Sequence, residues 1–129
     1  MASIPSDLRY TDAHQWARRD SDGRVTVGIT DYAQEALGDV VFIDLPDEGK
    51  TVIKDRAMLV VESVKAASDV FAPVSGTIVE VNSALQIEPE VLNSSPYEAW
   101  IVRIAPTHPE EYDTLMLAEA YTAVTANGA

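Results

Sequence analysis

Two short β-prone runs, Met58-Leu59-Val60-Val61 and Val70-Phe71, stand close together in the chain, and Pro73 and Gly76 punctuate it just after the second. Such runs bounded by turn residues read as strands, so the stretch between them must reverse direction. The reversal falls on Ser63-Val64-Lys65-Ala66-Ala67. With no Asn-Gly or Asp-Gly pair to demand a primed two-residue turn, the segment predicts an ordinary type I turn with Lys65 at its tip. A lysine held out on a rigid hairpin between small residues is open to other enzymes. Its deprotonated amine can be acylated, which removes the charge and lengthens the arm. On spacing alone, a solvated surface lysine is the better description.

The rest of the chain reads as more short strands. Residues 1–6 predict a loose arm, as termini usually are, and 8–10 a short strand. Residues 15–19 and 24–29 predict a hairpin around Asp20-Ser21-Asp22-Gly23, whose Asp-Gly is the strongest local hairpin signal present. Thr30 or Asp31 can cap a helix that runs through Leu37 and ends at Gly38. Residues 40–44 predict a strand followed by the turn Pro46-Asp47-Glu48-Gly49. Gly49, Val52, Asp55, Ala57 and Met58 recur 27 residues later as Gly76, Val79, Asn82, Ala84 and Leu85, which suggests two related halves, each strand, turn and strand. Residues 82–91 predict a turn and a short helical piece, and 100–104 a strand. Pro109-Glu110-Glu111 suits a helix N-terminus, and 117–124 predict a second helix. Trp16, Phe42 and Trp100 are expected in the core or in cleft walls. The whole is mainly β, a flattened barrel or sandwich with a helical tail.

Composition narrows the function. A chain of 129 residues is expected to form one domain, 1–129. Nine basic against 21 acidic residues give a formal charge of −12, and past Lys65 only Arg103 is basic while nine acids remain. That distribution argues against nucleic acid and suits partners with basic docking faces, although acidity also serves solubility. With no cysteine, a disulfide framework, a thiol nucleophile and any cysteine-bound metal are excluded, and sulfur chemistry must come from a cofactor. His14 and His108 form no local metal pattern, and no nucleophile elbow or phosphate loop is present. Asn93-Ser94-Ser95 matches a glycosylation acceptor without a secretion signal to support it. No apolar run approaches the roughly 20 residues of a membrane helix, and the N-terminus carries no targeting pattern. The expectation is a non-catalytic, cytoplasmic, bacterial protein without metal, nucleic acid or membrane partners, monomeric when free.

Glu62-Ser63-Val64-Lys65-Ala66-Ala67-Ser68-Asp69 and Ala72-Pro73-Val74-Ser75-Gly76 resemble the lipoyl-lysine segment of the glycine cleavage system H protein family. The resemblance continues in Tyr10, His14-Gln15-Trp16, Val27-Gly28-Ile29-Thr30-Asp31, Ala33-Gln34, Leu37-Gly38-Asp39-Val40-Val41-Phe42, Asn93-Ser94-Ser95-Pro96-Tyr97 and Trp100. It implies a fold of the lipoyl/biotinyl-carrier type, a barrel–sandwich hybrid at about 40–105, with an N-terminal β extension, a short internal helix and a helical tail at about 109–126. It also implies lipoate bound covalently to Lys65, with Glu62, Ser63, Val64, Ala66 and Ala67 as the recognition motif. The carrier would take the aminomethyl group of glycine from a pyridoxal-phosphate glycine decarboxylase to a tetrahydrofolate aminomethyltransferase. Dihydrolipoyl dehydrogenase would reoxidise the arm, and lipoate-attaching enzymes would install it.

Rival readings differ at particular residues. The lipoyl domain of a 2-oxoacid dehydrogenase usually has an acid where Val64 stands and lacks the N-terminal strands and C-terminal helices. A biotin carrier expects methionines at Val64 and Ala66. A lipoyl relay, passing lipoyl groups to other enzymes, shares the fold and differs only in its job. The chain departs from the family at Gln15, commonly Glu, and Tyr32, often His; Lys54-Asp55 stands for Gly-Asp and Ala99 for Gly. The resemblance assigns Gln15, Tyr32 and Asp69 to a cleft that receives the loaded arm, with Asp12 a further helper. Gln15 cannot supply the counter-charge a glutamate would, so this carrier is expected to protect its loaded arm less well. Alternatively, Gln15 is an exposed strand residue whose identity is immaterial.

Overall fold

The computed structural model describes residues 3–126. Ten strands form two antiparallel sheets. In chain order they are β1 (Arg9–Tyr10), β2 (Gln15–Arg19), β3 (Val25–Ile29), β4 (Val40–Asp44), β5 (Thr51–Val52), β6 (Ala57–Ser63), β7 (Ala67–Phe71), β8 (Gly76–Val81), β9 (Val102–Pro106) and β10 (Met116–Leu117). Helices are α1 (Asp31–Leu37), α2 (Val91–Ser94) and α3 (Ala118–Ala126), with 3-10 turns at Ser83–Gln86 and Pro109–Thr114. The larger sheet runs β10-β1-β2-β3-β9-β8-β5 and the smaller β4-β6-β7. The two sheets stay open and pack as a sandwich, with no closed barrel.

Local chemistry explains several elements. β2 and β3 meet at the Asp-Gly turn, where Gly23 has φ +90° and donates to Asp20 O at 2.9 Å. Thr30 caps α1 by accepting from Ala33 N at 3.2 Å, and Gly38 ends the helix with φ +79°. Between the sheets lies a core that includes Val25, Val27, Ile43, Val61, Val70, Ile78 and Ile104. Strict alternation toward the core fails in β4, where Val40 and Phe42 are separated by a bulge opposite Ser63 and Glu62. The bulge leaves both Val41 and Phe42 exposed, at 53 and 46 %, so Phe42, expected in the core or in a cleft wall, lies outside the core.

A second, smaller cluster of Leu8, Tyr10, Trp16 and Tyr121 holds the ends of the chain together. Tyr10 and Tyr121 stack at 4.6 Å, and Trp16 Nε1 donates to Pro96 O at 2.9 Å. Trp16 lies on Gly28, where a Cβ would come within 2.5 Å of the indole. The N-terminal segment, expected to be loose, is tied from Ser3 onward: Ser3 N donates to Asp31 Oδ2 at 2.9 Å, and the Tyr97 and Tyr10 hydroxyls donate to Ser3 O and Pro5 O. Met1 and Ala2 lie outside the described residues.

Other differences have physical causes. Ser83–Gln86 is a 3-10 turn, so the second half of the suggested repeat lacks its final strand; Leu85 is buried there but is reached in a turn. The tail opens with a 3-10 turn at Pro109–Thr114, then spends two residues on β10, which pairs Leu117 with Arg9 and Met116 with Tyr10. A two-residue strand has no periodicity to read.

Candidate functional site

The predicted hairpin is β6–β7, in register Glu62↔Ala67, Val61↔Ser68, Val60↔Asp69 and Leu59↔Val70. Its loop closes differently from an ordinary type I turn. Ser63 N donates to Ala66 O at 2.8 Å, while the Ser63 hydroxyl donates to Ala66 O at 3.2 Å and accepts from Ala66 N at 3.2 Å and Lys65 N at 3.4 Å. A serine just ahead of a loop competes for main-chain groups in this way. Val64 N donates to Asp39 O at 3.0 Å, tying the tip to the segment after α1. Lys65 is exposed. Its stem runs beside Gly38, where a Cβ would lie 3.5 Å from Lys65 Cε and 3.9 Å from Nζ. Small size and a left-handed φ at Gly38 therefore serve both the helix end and the room around the lysine.

Next to the hairpin lies a cleft of about 170 Å³, walled by Ile29, Ala33, Ala36, Leu37, Val61 and Val70 and edged by Ala13, His14, Gln15, Ser68 and Asp69. Most of its lining is apolar with a few polar side chains among it, the usual balance for a small-molecule pocket. Asp69 is the carboxylate in the lining. It is exposed, and none of the ion pairs among the described residues involves it.

Gln15 is 1 % exposed, which rules out the exposed-strand reading. Its main-chain N donates to Thr11 Oγ1 at 3.2 Å. With the amide in the orientation that satisfies both ends, Nε2 donates to Thr11 Oγ1 at 2.6 Å and Phe71 O at 3.3 Å, and Oε1 accepts from Phe71 N at 3.1 Å. His14 has a left-handed φ of 68°. It places Nδ1 2.8 Å from the Tyr121 hydroxyl, which lies 2.7 Å from Thr30 Oγ1. Burial pushes the Tyr121 phenol up to about 12, partly offset by the Thr30 hydrogen bond. These contacts join the cleft rim to α3 and to the cap of α1.

The structure thus brings Gln15 and Asp69 to one cleft beside the hairpin of Lys65. Tyr32 stands outside the lining and packs on the His14 ring at 4.5 Å; Asp12 lines a separate groove with Lys54 and Asp55. Of the residues flanking Lys65, Glu62, Val64, Ala66 and Ala67 are exposed, while Ser63 is buried and committed to the turn. Sequence reasoning did not find Ala33, Ala36 or Leu37 in the wall. The signal available was a pair of alanines three apart on a short helix, which puts two small residues on one face. Among the described residues no group of three or more His, Asp or Glu side chains could hold a metal ion, and no helix is long and apolar enough to cross a membrane.

Comparison with known proteins bears on the whole chain and not only the hairpin. The family model described as Glycine cleavage H-protein matches residues 8–128. A glycine cleavage system H protein of Psychrobacter sp. (strain PRwf-1) is 53% identical over 124 residues, 95% of this chain and 98% of its own length. Glycine cleavage system H protein 2 of Pseudomonas aeruginosa is 51% identical over 129 residues, 99% of this chain and 100% of its own. The crystal structure of a glycine cleavage system H protein from Mycobacterium marinum superposes with a TM-score of 0.87 at 42% identity, covering 98% of this chain and 100% of that one. At 98% coverage of this chain, that match takes in β1–β3 and α3 as well as the hairpin. The chain belongs to the glycine cleavage H-protein family.

Proposed function

We propose that the chain is the carrier of the glycine cleavage system, with Lys65 as its lipoylation site. The observation that carries the assignment to Lys65 is its place: an exposed amine on a hairpin whose loop is satisfied from within by Ser63, beside a cleft with apolar walls. An acylating enzyme can reach such an amine without unfolding anything. When bound as an amide, lipoate supplies a dithiolane, the sulfur chemistry that a chain without cysteine lacks.

The protein's own part is presentation. The rigid turn fixes where the arm starts, so a tethered group is delivered at a set reach and at high effective concentration. The walls from α1, β6 and β7 offer apolar surface to the arm, and Asp69 offers a negative charge to a cationic group at its end. Exposed Glu62, Val64, Ala66 and Ala67 are the side chains a lipoate-attaching enzyme meets around Lys65. The finer partners are the pyridoxal-phosphate decarboxylase, the tetrahydrofolate aminomethyltransferase and dihydrolipoyl dehydrogenase, and the free protein is a cytoplasmic monomer. The three N-terminal strands and α3 speak against a 2-oxoacid dehydrogenase lipoyl domain. The test is peptide mass spectrometry after expression with lipoate and a competent ligase. Lipoate on Lys65 alone is the expected result; lipoate elsewhere, biotin at Lys65, or no acylation overturns the assignment.

A further inference from the structure

β7 is the outer strand of the small sheet and pairs only with β6. The Ser63 N to Ala66 O bond sets the alternation of its ladder with β6. Ser68 and Val70 turn their main-chain groups toward β6, and Ala67, Asp69 and Phe71 turn theirs away from it. An open edge of this kind needs a partner for every buried group. At Phe71 the partner is a side chain. Gln15 Oε1 accepts from Phe71 N at 3.1 Å and Nε2 donates to Phe71 O at 3.3 Å, so one amide does for one residue what another strand would do. Gln15 itself begins β2 in the large sheet, paired with Ile29.

We infer that Gln15 is a positioning residue: its amide stands in for a strand on the edge of β7, joins the two sheets at the cleft, and so holds Asp69 at the cleft rim. The inference rests on the carrier reading only for what the cleft receives. The chemistry selects an amide because the site offers one donor and one acceptor at Phe71, and a second oxygen at Thr11. A carboxylate would accept from Phe71 N but set an oxygen against Phe71 O, whereas a protonated carboxyl would restore the missing donor. A methionine of similar length would restore neither. The groups facing the site are Thr11, Phe71 and the Ala13 carbonyl, 3.3 Å from the amide, with the His14 ring and the Asp69 carboxylate lining the same cleft. Asp69 adds to the cost of a second negative charge there, and a protonated His14 would reduce it.

The experiment uses isotope-labelled, unacylated protein, so its outcome does not depend on whether Lys65 is the lipoylation site. Amide hydrogen exchange at Phe71 and thermal stability are followed from pH 4.5 to 8 in the natural protein, Gln15→Glu and Gln15→Met. At pH 7, Phe71 N–H is expected to exchange about tenfold faster in Gln15→Met, the factor that loss of a buried hydrogen bond produces, and to stay slower in Gln15→Glu, whose carboxylate still accepts from it. The Asp69 main-chain resonances should shift in both, and those of Asp44, on the far strand of the same sheet, should hold. A buried carboxyl at 15 has a folded pKa raised above its unfolded value, so Gln15→Glu keeps its stability at low pH and loses it as pH rises through the folded pKa. Gln15→Met should be impaired equally at every pH. Unchanged Phe71 exchange in Gln15→Met, or a Gln15→Glu deficit that does not vary with pH, would overturn the inference.

Discussion

The two sheets of this molecule carry their charge in opposite ways. On and around the large sheet acids are paired: Arg103 meets Glu80 at 2.8 Å across β8 and β9, Arg18 meets Asp20 at 3.0 Å, and Arg19 meets Asp113 at 3.3 Å. Arginines there also cover aromatic rings, Arg103 over Trp100 at 4.1 Å and Arg19 over Tyr112 at 4.4 Å. The small sheet aligns Phe42, Glu62 and Ala67 in one row and Asp44, Val60 and Asp69 two rows further on, past Ile43, Val61 and Ser68. Among the described residues no ion pair includes Asp44, Glu62 or Asp69. Each surface pair is worth only about 0–1 kcal/mol, so the contrast says little about stability. It concerns availability: the large sheet anchors both ends of the chain, and the small sheet leaves its acids and its lysine to others.

The strongest way to break this contrast is to exchange one residue from each side. Lys65→Arg is expected to abolish acylation and carrier activity while leaving stability within about 0.5 kcal/mol, as for other exposed positions. Guanidinium keeps the charge but cannot form the lipoyl amide. Trp16→Ala should do the reverse, costing about 3–5 kcal/mol in urea unfolding because the indole is 1 % exposed and packed on Gly28. A Lys65→Arg protein that unfolds as easily as Trp16→Ala would mean the hairpin is part of the fold's support.

Smaller effects sharpen the same division. Ser63→Ala, inside the presenting sheet, is expected to cost about 1 kcal/mol and to slow acylation of Lys65 by loosening the loop, measured as initial rate with a purified ligase. Alkaline titration probes the anchoring side. Because burial pushes the Tyr121 phenol up to about 12 from 10.0 in the unfolded chain, the folded state holds a proton that the unfolded state releases. Its contribution is complete below pH 10 and is lost as pH rises toward 12. Tyr121→Phe should therefore be less stable at neutral pH and show a shallower alkaline decline by circular dichroism. The mildest expectation concerns salt. Michaelis constants of the lipoylated protein with partner enzymes should rise with ionic strength, since screening acts within about 8 Å at physiological salt. Flat profiles with every partner would assign the acidity to solubility alone.

Elements written in contiguous residues were legible in advance. Asp22-Gly23 placed the β2–β3 turn, Thr30 and Gly38 bracketed α1, and the two apolar runs around Lys65 located its hairpin, because caps, turns and strand periodicity act over a few bonds. The lysine's context was also local, which is why a resemblance could assign it a role. Tertiary structure decided the rest. Gln15 and Phe71 lie far apart in sequence, and nothing near Gln15 announces that its amide faces a strand edge. Tyr121 stacks on Tyr10 across nearly the whole chain, and Phe42 is exposed because one bulge re-aims it. Tyr32, a cleft residue by resemblance, supports His14 instead. Contacts of this kind depend on which elements fold against each other, and a side chain's partners across two sheets are set by register and packing that no short window of sequence contains.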